Sequence, residues 1–188
     1  MRKQLKINPI IYPQPVLMVG TYDENGIPDL MNAAWGCAID YNMIGICMTL
    51  SHKTVKNFLK SNCFSVSMAT TETIKDADFV GVVSANECEN KVSKTSLHAE
   101  KASAINAPCF KEFPVCIECE LDHIDEETGM VYGKIVNVTA DESVLDDKGN
   151  FDLSKANGIL FDQASGRYFK IGEPLAKAFS IGLELKNK

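Results

Sequence analysis

The run Leu50-Ser51-His52-Lys53-Thr54-Val55-Lys56-Asn57-Phe58-Leu59 reads as the start of a helix with the wrong charge at its mouth. Ser51 stands where a cap is expected, and Val55, Phe58 and Leu59 recur at the spacing of an inward-facing stripe. A helix N-terminus carries partial positive charge, so its first turn ordinarily holds Asp or Glu. Here it holds His52 and Lys53, with Lys56 a step further, and no acid. An anion bound at the helix end makes that arrangement favourable. The amides of His52, Lys53 and Thr54 would point at it, Lys53 and His52 would add charge, and Ser51 and Thr54 would add hydroxyl donors. The competing reading is a solvated helix start with incidental basic residues.

A second candidate is Asn32-Ala33-Ala34-Trp35-Gly36-Cys37. Small residues on a strand let a flat ligand approach the backbone, Asn32 offers both a donor and an acceptor, and Trp35 could border a planar ring. Taken alone, the plainer alternative wins, with Trp35 filling the core and the alanines relieving crowding at a barrel bend. Thr49, just before the basic run, is equally open. Cys116-Ile117-Glu118-Cys119 is the one CxxC, but Phe113 to Leu121 alternates like a strand. Positions i and i+3 of a strand face opposite ways, so the two sulfurs cannot share a metal or a disulfide. His52, His98 and His123 are too dispersed for a metal cluster, and no Ser/His/Asp or Cys/His set can be assembled from spacing. Neither a metal site nor a catalytic residue is assigned. Asp122, Asp125, Glu126 and Glu127 read as a solvated hairpin turn.

The elements that must carry these residues follow from periodicity. Pro15–Tyr22 is a short apolar strand ending at Asp23-Glu24-Asn25-Gly26, a hairpin signal, and Pro28–Ile39 is its return strand. Met43–Leu50 is a nearly continuous apolar run that predicts a buried strand, followed by the helix ending near Lys60–Asn62. Phe64–Ala69 alternates as another strand, Thr71–Val82 is helical, Ser84–Ser96 is a polar loop, and His98–Ala104 is a further short helix. Val115–Ile124 and Met130–Val138 form two long strands, and Tyr168–Ile171 a last short one. Hairpin-linked strands with short helices between them point to a mainly β antiparallel barrel with added helices, in one domain spanning residues 1–188. No Gly-x-Gly-x-x-Gly stands at a strand-to-helix turn, which argues against a Rossmann cofactor site.

Composition narrows the function. Charged residues make up 23% of 188, ordinary for a globular protein, and the net charge of -6 argues against a general nucleic-acid or anionic-membrane binder. No apolar stretch approaches the roughly 20 residues that cross a bilayer, and no signal peptide is evident, so a cytoplasmic, soluble protein is expected. Seven cysteines scattered through apolar contexts fit reduced, buried thiols better than a disulfide framework.

The order of these features resembles the flavin reductase-like family, especially its flavoredoxin-type members. The resemblance rests on Pro15–Tyr22 (PVLMVGTY), Asn32–Gly36 (NAAWG) and Leu50–Thr54 (LSHKT). It continues in Ala77–Ser84 (ADFVGVVS), Asn90-Lys91 and Val136–Glu142 (VNVTADE), and so covers nearly the whole chain. It implies an antiparallel Greek-key split barrel that binds FMN, usually as a homodimer with the flavin near the subunit interface. On that resemblance Ser51, His52, Lys53 and Thr54 would hold the FMN phosphate, with Leu50 leading into the loop. Asn32, Ala33, Ala34 and Trp35 would line the isoalloxazine ring with Thr49 beside it. Lys91 would reach the phosphate or ring edge, and Tyr168 would flank the site. Many relatives carry arginine where His52 stands, so charge in this loop becomes pH-dependent. The implied activity is transfer of reducing equivalents from NADH, NADPH or a redox partner through FMN. A non-enzymatic FMN electron carrier and a flavin-storage or purely structural barrel are the alternatives.

Overall fold

The computed structural model describes residues 1–187. In chain order the first strands are β1 (Gln14–Pro15), β2 (Leu17–Tyr22), β3 (Pro28–Ala33), β4 (Gly36–Asp40) and β5 (Met43–Cys47). Helix α1 (Lys53–Ser61), β6 (Cys63–Met68) and helix α2 (Ile74–Val82) follow. The remaining strands are β7 (Ala99–Lys101), β8 (Pro108–Phe110), β9 (Val115–Asp125), β10 (Met130–Ala140), β11 (Ile159–Asp162) and β12 (Arg167–Lys170). Among the described residues no helix is long and apolar enough to cross a membrane.

The expected return strand Pro28–Ile39 divides at Ala34-Trp35, and that division makes the fold. β3 pairs with β2 while β4 pairs with β5, at opposite edges of one antiparallel sheet ordered β3-β2-β6-β9-β10-β5-β4. Two residues cannot cross a flat seven-stranded sheet whose strands lie about 4.8 Å apart. The sheet therefore curls until its edges nearly meet, giving the split barrel. Gly36 sits at that seam, where a Cβ would fall 2.7 Å from Leu17 Cδ1 and 3.1 Å from Ile46 Cγ1.

β2 explains why its sequence is apolar without alternation, because both of its faces are buried. Leu17 and Val19 enter the barrel interior with Ile46, Phe64, Val66 and Val131. Val16 and Met18, from the other face, join Leu30, Val80, Phe110 and Ile159 under α2. Nine residues are too few for a stable isolated helix. α1 is held by Val55 and Phe58, which are fully buried in the barrel end, and closes on Asn62 with φ 56° and its N–H on Phe58 O. Leu59, expected to point inward, is 53% exposed; Thr54 and Asn57 take buried positions instead.

Two further expectations are corrected. The segment His98–Ala104 is not helical: β7 pairs with β8, and the turn between them gives its amides away. Ala102 N–H donates to Ala107 O at 2.9 Å, and the N–H groups of Ser103 and Ala104 donate to the Glu118 carboxylate at 3.3 and 2.7 Å. The cysteines are not all reduced. Cys109 on β8 and Cys116 on β9 form a disulfide with Cα atoms 6.1 Å apart, because residues 111–114 turn the chain back beside itself. Cys119 lies on the opposite face of β9, in the barrel core, as the strand geometry requires. A small separate sheet is ordered β1-β11-β12, and its Ile159, Phe161 and Tyr168 pack into the cluster of Val16, Met18 and Val80.

Candidate functional site

His52, not Ser51, is the cap of α1. Its backbone is extended (φ -60°, ψ 142°), its N–H donates to Thr49 O at 3.1 Å, and no side chain caps the helix. Ser51 is exposed, and its carbonyl accepts from Asn86 Nδ2 at 3.2 Å. The first turn contains no acid, and its leading amides precede any carbonyl of the helix that could accept from them. The Thr54 hydroxyl is not among the outward donors. It turns inward and donates to Asp29 Oδ2 at 2.6 Å in a fully buried contact.

A cavity of about 210 Å³ lies between this helix start and the end of α2, bounded by Asp29, Asn32, His52, Lys53, Thr54, Gly81, Ser84 and Lys91. Lys91 does not reach out from a polar loop; it is only 3% exposed. Its Nζ donates to Val80 O at 2.7 Å and Val83 O at 2.8 Å, and stands 3.7 Å from Asp29 Oδ1. Burial lowers the Lys91 pKa, with Asp29 opposing. Burial also lowers that of His52, Lys91 adds to this and Asp29 opposes, so His52 is neutral near pH 7. His52 Nδ1 and Asp29 Oδ1 are buried without a hydrogen-bond partner. Lys53 thus remains as the side-chain cation at the helix mouth not committed to the interior.

Two more cavities adjoin it. One of about 450 Å³ is lined by Ala33, Trp35, Thr49, Leu50 and His52 together with Thr128 and Gly129. The other, of about 360 Å³, is lined by Asn32, Ala34, Trp35, Cys47, Phe161 and Tyr168. Asn32 lines all three, so they form one groove around it. Asn32 Nδ2 donates to Ala77 O at 3.2 Å, leaving its carbonyl oxygen as an acceptor. Trp35 does not fill the core. It is 51% exposed at the groove and steered by an Nε1–H bond to Gln163 Oε1 at 2.9 Å. Tyr168 donates to Asp78 Oδ1 at 2.8 Å, and burial, followed by Asp78, pushes its pKa up to about 12.

Every sequence-predicted site residue except Ser51 therefore lines this groove. The sequence reading missed Asp29, Asp78, Gly81, Cys47 and Phe161. Asp29 left one signal, a lone acid inside an apolar strand. Gly81 left none, since its role is to give way to Asn32: a Cβ there would fall 2.9 Å from Asn32 Cβ.

The chain is similar to flavoredoxin of Desulfovibrio vulgaris (Miyazaki F), at 34% identity and a TM-score of 0.92, over 97% of this chain and 100% of that one. It is similar to flavoredoxin from Methanosarcina acetivorans at 25% identity and a TM-score of 0.85, over 98% and 100%. An FMN-binding domain of a flavin reductases-like enzyme from Shewanella baltica OS155 shares the fold, with a TM-score of 0.76 at 20% identity over 87% and 89%. The uncharacterized protein YwrF of Bacillus subtilis (strain 168) is 28% identical over 128 residues, 64% of this chain; the match spans 62% of that relative's length. The model of the flavin reductase like domain matches residues 11–163. A split barrel, a groove centred on Asn32 and this match across most of the sequence together place the chain in the flavin reductase-like family.

Proposed function

We propose that this protein is an FMN-dependent oxidoreductase of the flavin reductase/flavoredoxin type. It passes reducing equivalents from a reduced nicotinamide or a redox partner. The observation that carries this reading is the single groove with chemically distinct ends. Helix amides and Lys53 lie at one end, and Ala33, Ala34 and the exposed Trp35 indole lie at the other. That division matches a phosphate at one end of a ligand and a flat ring at the other.

When bound, FMN supplies the hydride and electron chemistry through its ring. The residues of this chain bind and orient. The first amides of α1 and the Lys53 ammonium meet the phosphate, and neutral His52 adds no fixed charge. Asn32 Oδ1 offers an acceptor at the junction, while Trp35, held by Gln163, and Tyr168, held by Asp78, border the ring region. Hydride transfer demands no side-chain acid or base, and no catalytic residue is assigned. A homodimer is proposed on the same reading. β4, which follows Trp35 directly in the chain, is an exposed edge strand, and Ile39 and Tyr41 are uncovered.

The absorption spectrum of freshly purified protein tests the cofactor, with flavin bands expected. Steady oxidation of NADH or NADPH with FMN present then supports the reductase. A flavin-loaded protein inert to both nicotinamides but readily reduced by a redox protein would mark an electron carrier instead.

A further inference from the structure

The two helices that bound the 210 Å³ cavity present opposite ends to it. α1 enters with its N-terminal amides, whereas α2 ends there with its C-terminal carbonyls, Val80 and Val83 among the lining residues. The first end attracts an anion and the second repels it, with partial charges of similar size. Lys91 removes that conflict by donating to both Val80 O and Val83 O. An ammonium buried that deeply needs a counter-charge, and Asp29 Oδ1 stands 3.7 Å away. The other oxygen of the same carboxylate accepts the Thr54 hydroxyl from the first turn of α1.

We infer that Asp29 is a positioning residue for the phosphate subsite. One buried carboxylate tethers the amide end of α1 through Thr54 and holds Lys91 against the carbonyl end of α2. The anion meets the first and is shielded from the second. This inference rests on the groove being an FMN site. It assigns Lys91 to the masking of α2 and not to direct phosphate binding.

The sign of one substitution separates positioning from simple charge. Asp29→Asn removes a negative charge from the wall of an anion site, so charge alone predicts tighter FMN binding. Positioning predicts that FMN binding weakens by about tenfold, the scale of a lost charged hydrogen bond, while riboflavin, which lacks the phosphate, is little affected. Thr54→Val is the second variant; it keeps the ion pair and cuts only the tether to α1, and a loss confined to FMN is again expected. Both are measured by flavin fluorescence titration, with a thermal melt to confirm folding. FMN affinity unchanged or raised in Asp29→Asn, or equal losses for FMN and riboflavin, would overturn the inference. Wild-type protein that binds neither flavin would overturn the cofactor reading itself, and this inference with it.

Discussion

The Thr54 hydroxyl donates to Asp29 Oδ2 at 2.6 Å, and both side chains are buried. A threonine that would serve as a phosphate ligand in a basic loop is thereby committed to the interior. Lys91 is committed likewise, and burial lowers the pKa of His52, so the anion affinity proposed for this helix end rests on its backbone amides and on Lys53.

Lys53→Glu should therefore weaken FMN binding by roughly tenfold to a hundredfold, the scale of losing and then reversing a charge-assisted contact. Riboflavin should change little. Equal losses measured by equilibrium titration of the two flavins would remove Lys53 from the phosphate end.

Gly81→Ala should act on both ligands alike. Its Cβ would press on Asn32 Cβ at 2.9 Å, at the point shared by all three cavities. Overpacking of this kind costs about 1–3 kcal/mol, so affinities for FMN and riboflavin should fall together by roughly tenfold. A loss confined to FMN would mean that Asn32 sits at the phosphate and not at the junction.

How much of this was legible in the sequence depends on whether a residue acts locally. Leu50–Thr54 shows its unusual charge within one helical turn, so a five-residue window was enough to pick out the acid-free helix mouth on which the anion site is proposed. The cap assignment failed by one residue because Ser and His both tolerate the extended backbone that the cap needs. Pro28–Ile39 reads as one strand because its pattern is continuous; only the pairing partners, β2 for one half and β5 for the other, reveal the break. Trp35 looks like core because tryptophan usually is, and its exposure follows from lying in that break. Lys91 and Asp29 are joined across 62 positions of sequence, so periodicity could assign neither its partner.

Glu118 offers a test of the scaffold away from the site. It is 1% exposed on β9. Burial raises its pKa, but bonds from the Ala104 N–H, Ser103 and Asn137 outweigh burial, and the net shift is downward. A depressed carboxyl pKa contributes stability that is present above its unfolded value and lost as pH falls through the folded one. Glu118→Gln should thus lower stability by about 1–3 kcal/mol at neutral pH, with the gap between variant and wild type closing in acid. Melts across pH check this; a gap that stays constant would contradict it.

Tyr168 gives the opposite sign. Its pKa is raised from 10.0 to about 12, so the stability contributed by the neutral hydroxyl is complete below pH 10.0 and lost as pH rises through about 12. In an ultraviolet difference titration of the folded protein, Tyr168→Phe should remove the latest-ionising component. Loss of an earlier component would show that the hydroxyl is not held by Asp78.

The cysteines can be counted directly. With one disulfide between Cys109 and Cys116, unfolded, unreduced protein should show five reactive thiols, and seven after reduction. Seven before reduction, in protein prepared without reductant, would mean that the bridge does not form.

The proposed site holds FMN in the groove around Asn32, with its phosphate at the amide end of α1. Titrating flavin-free wild-type protein with FMN and with riboflavin, under identical conditions, tests it most directly. FMN should bind at least about tenfold more tightly, as expected for a phosphate received by helix amides and a lysine. Equal affinity for the two flavins, or binding of neither, would contradict it.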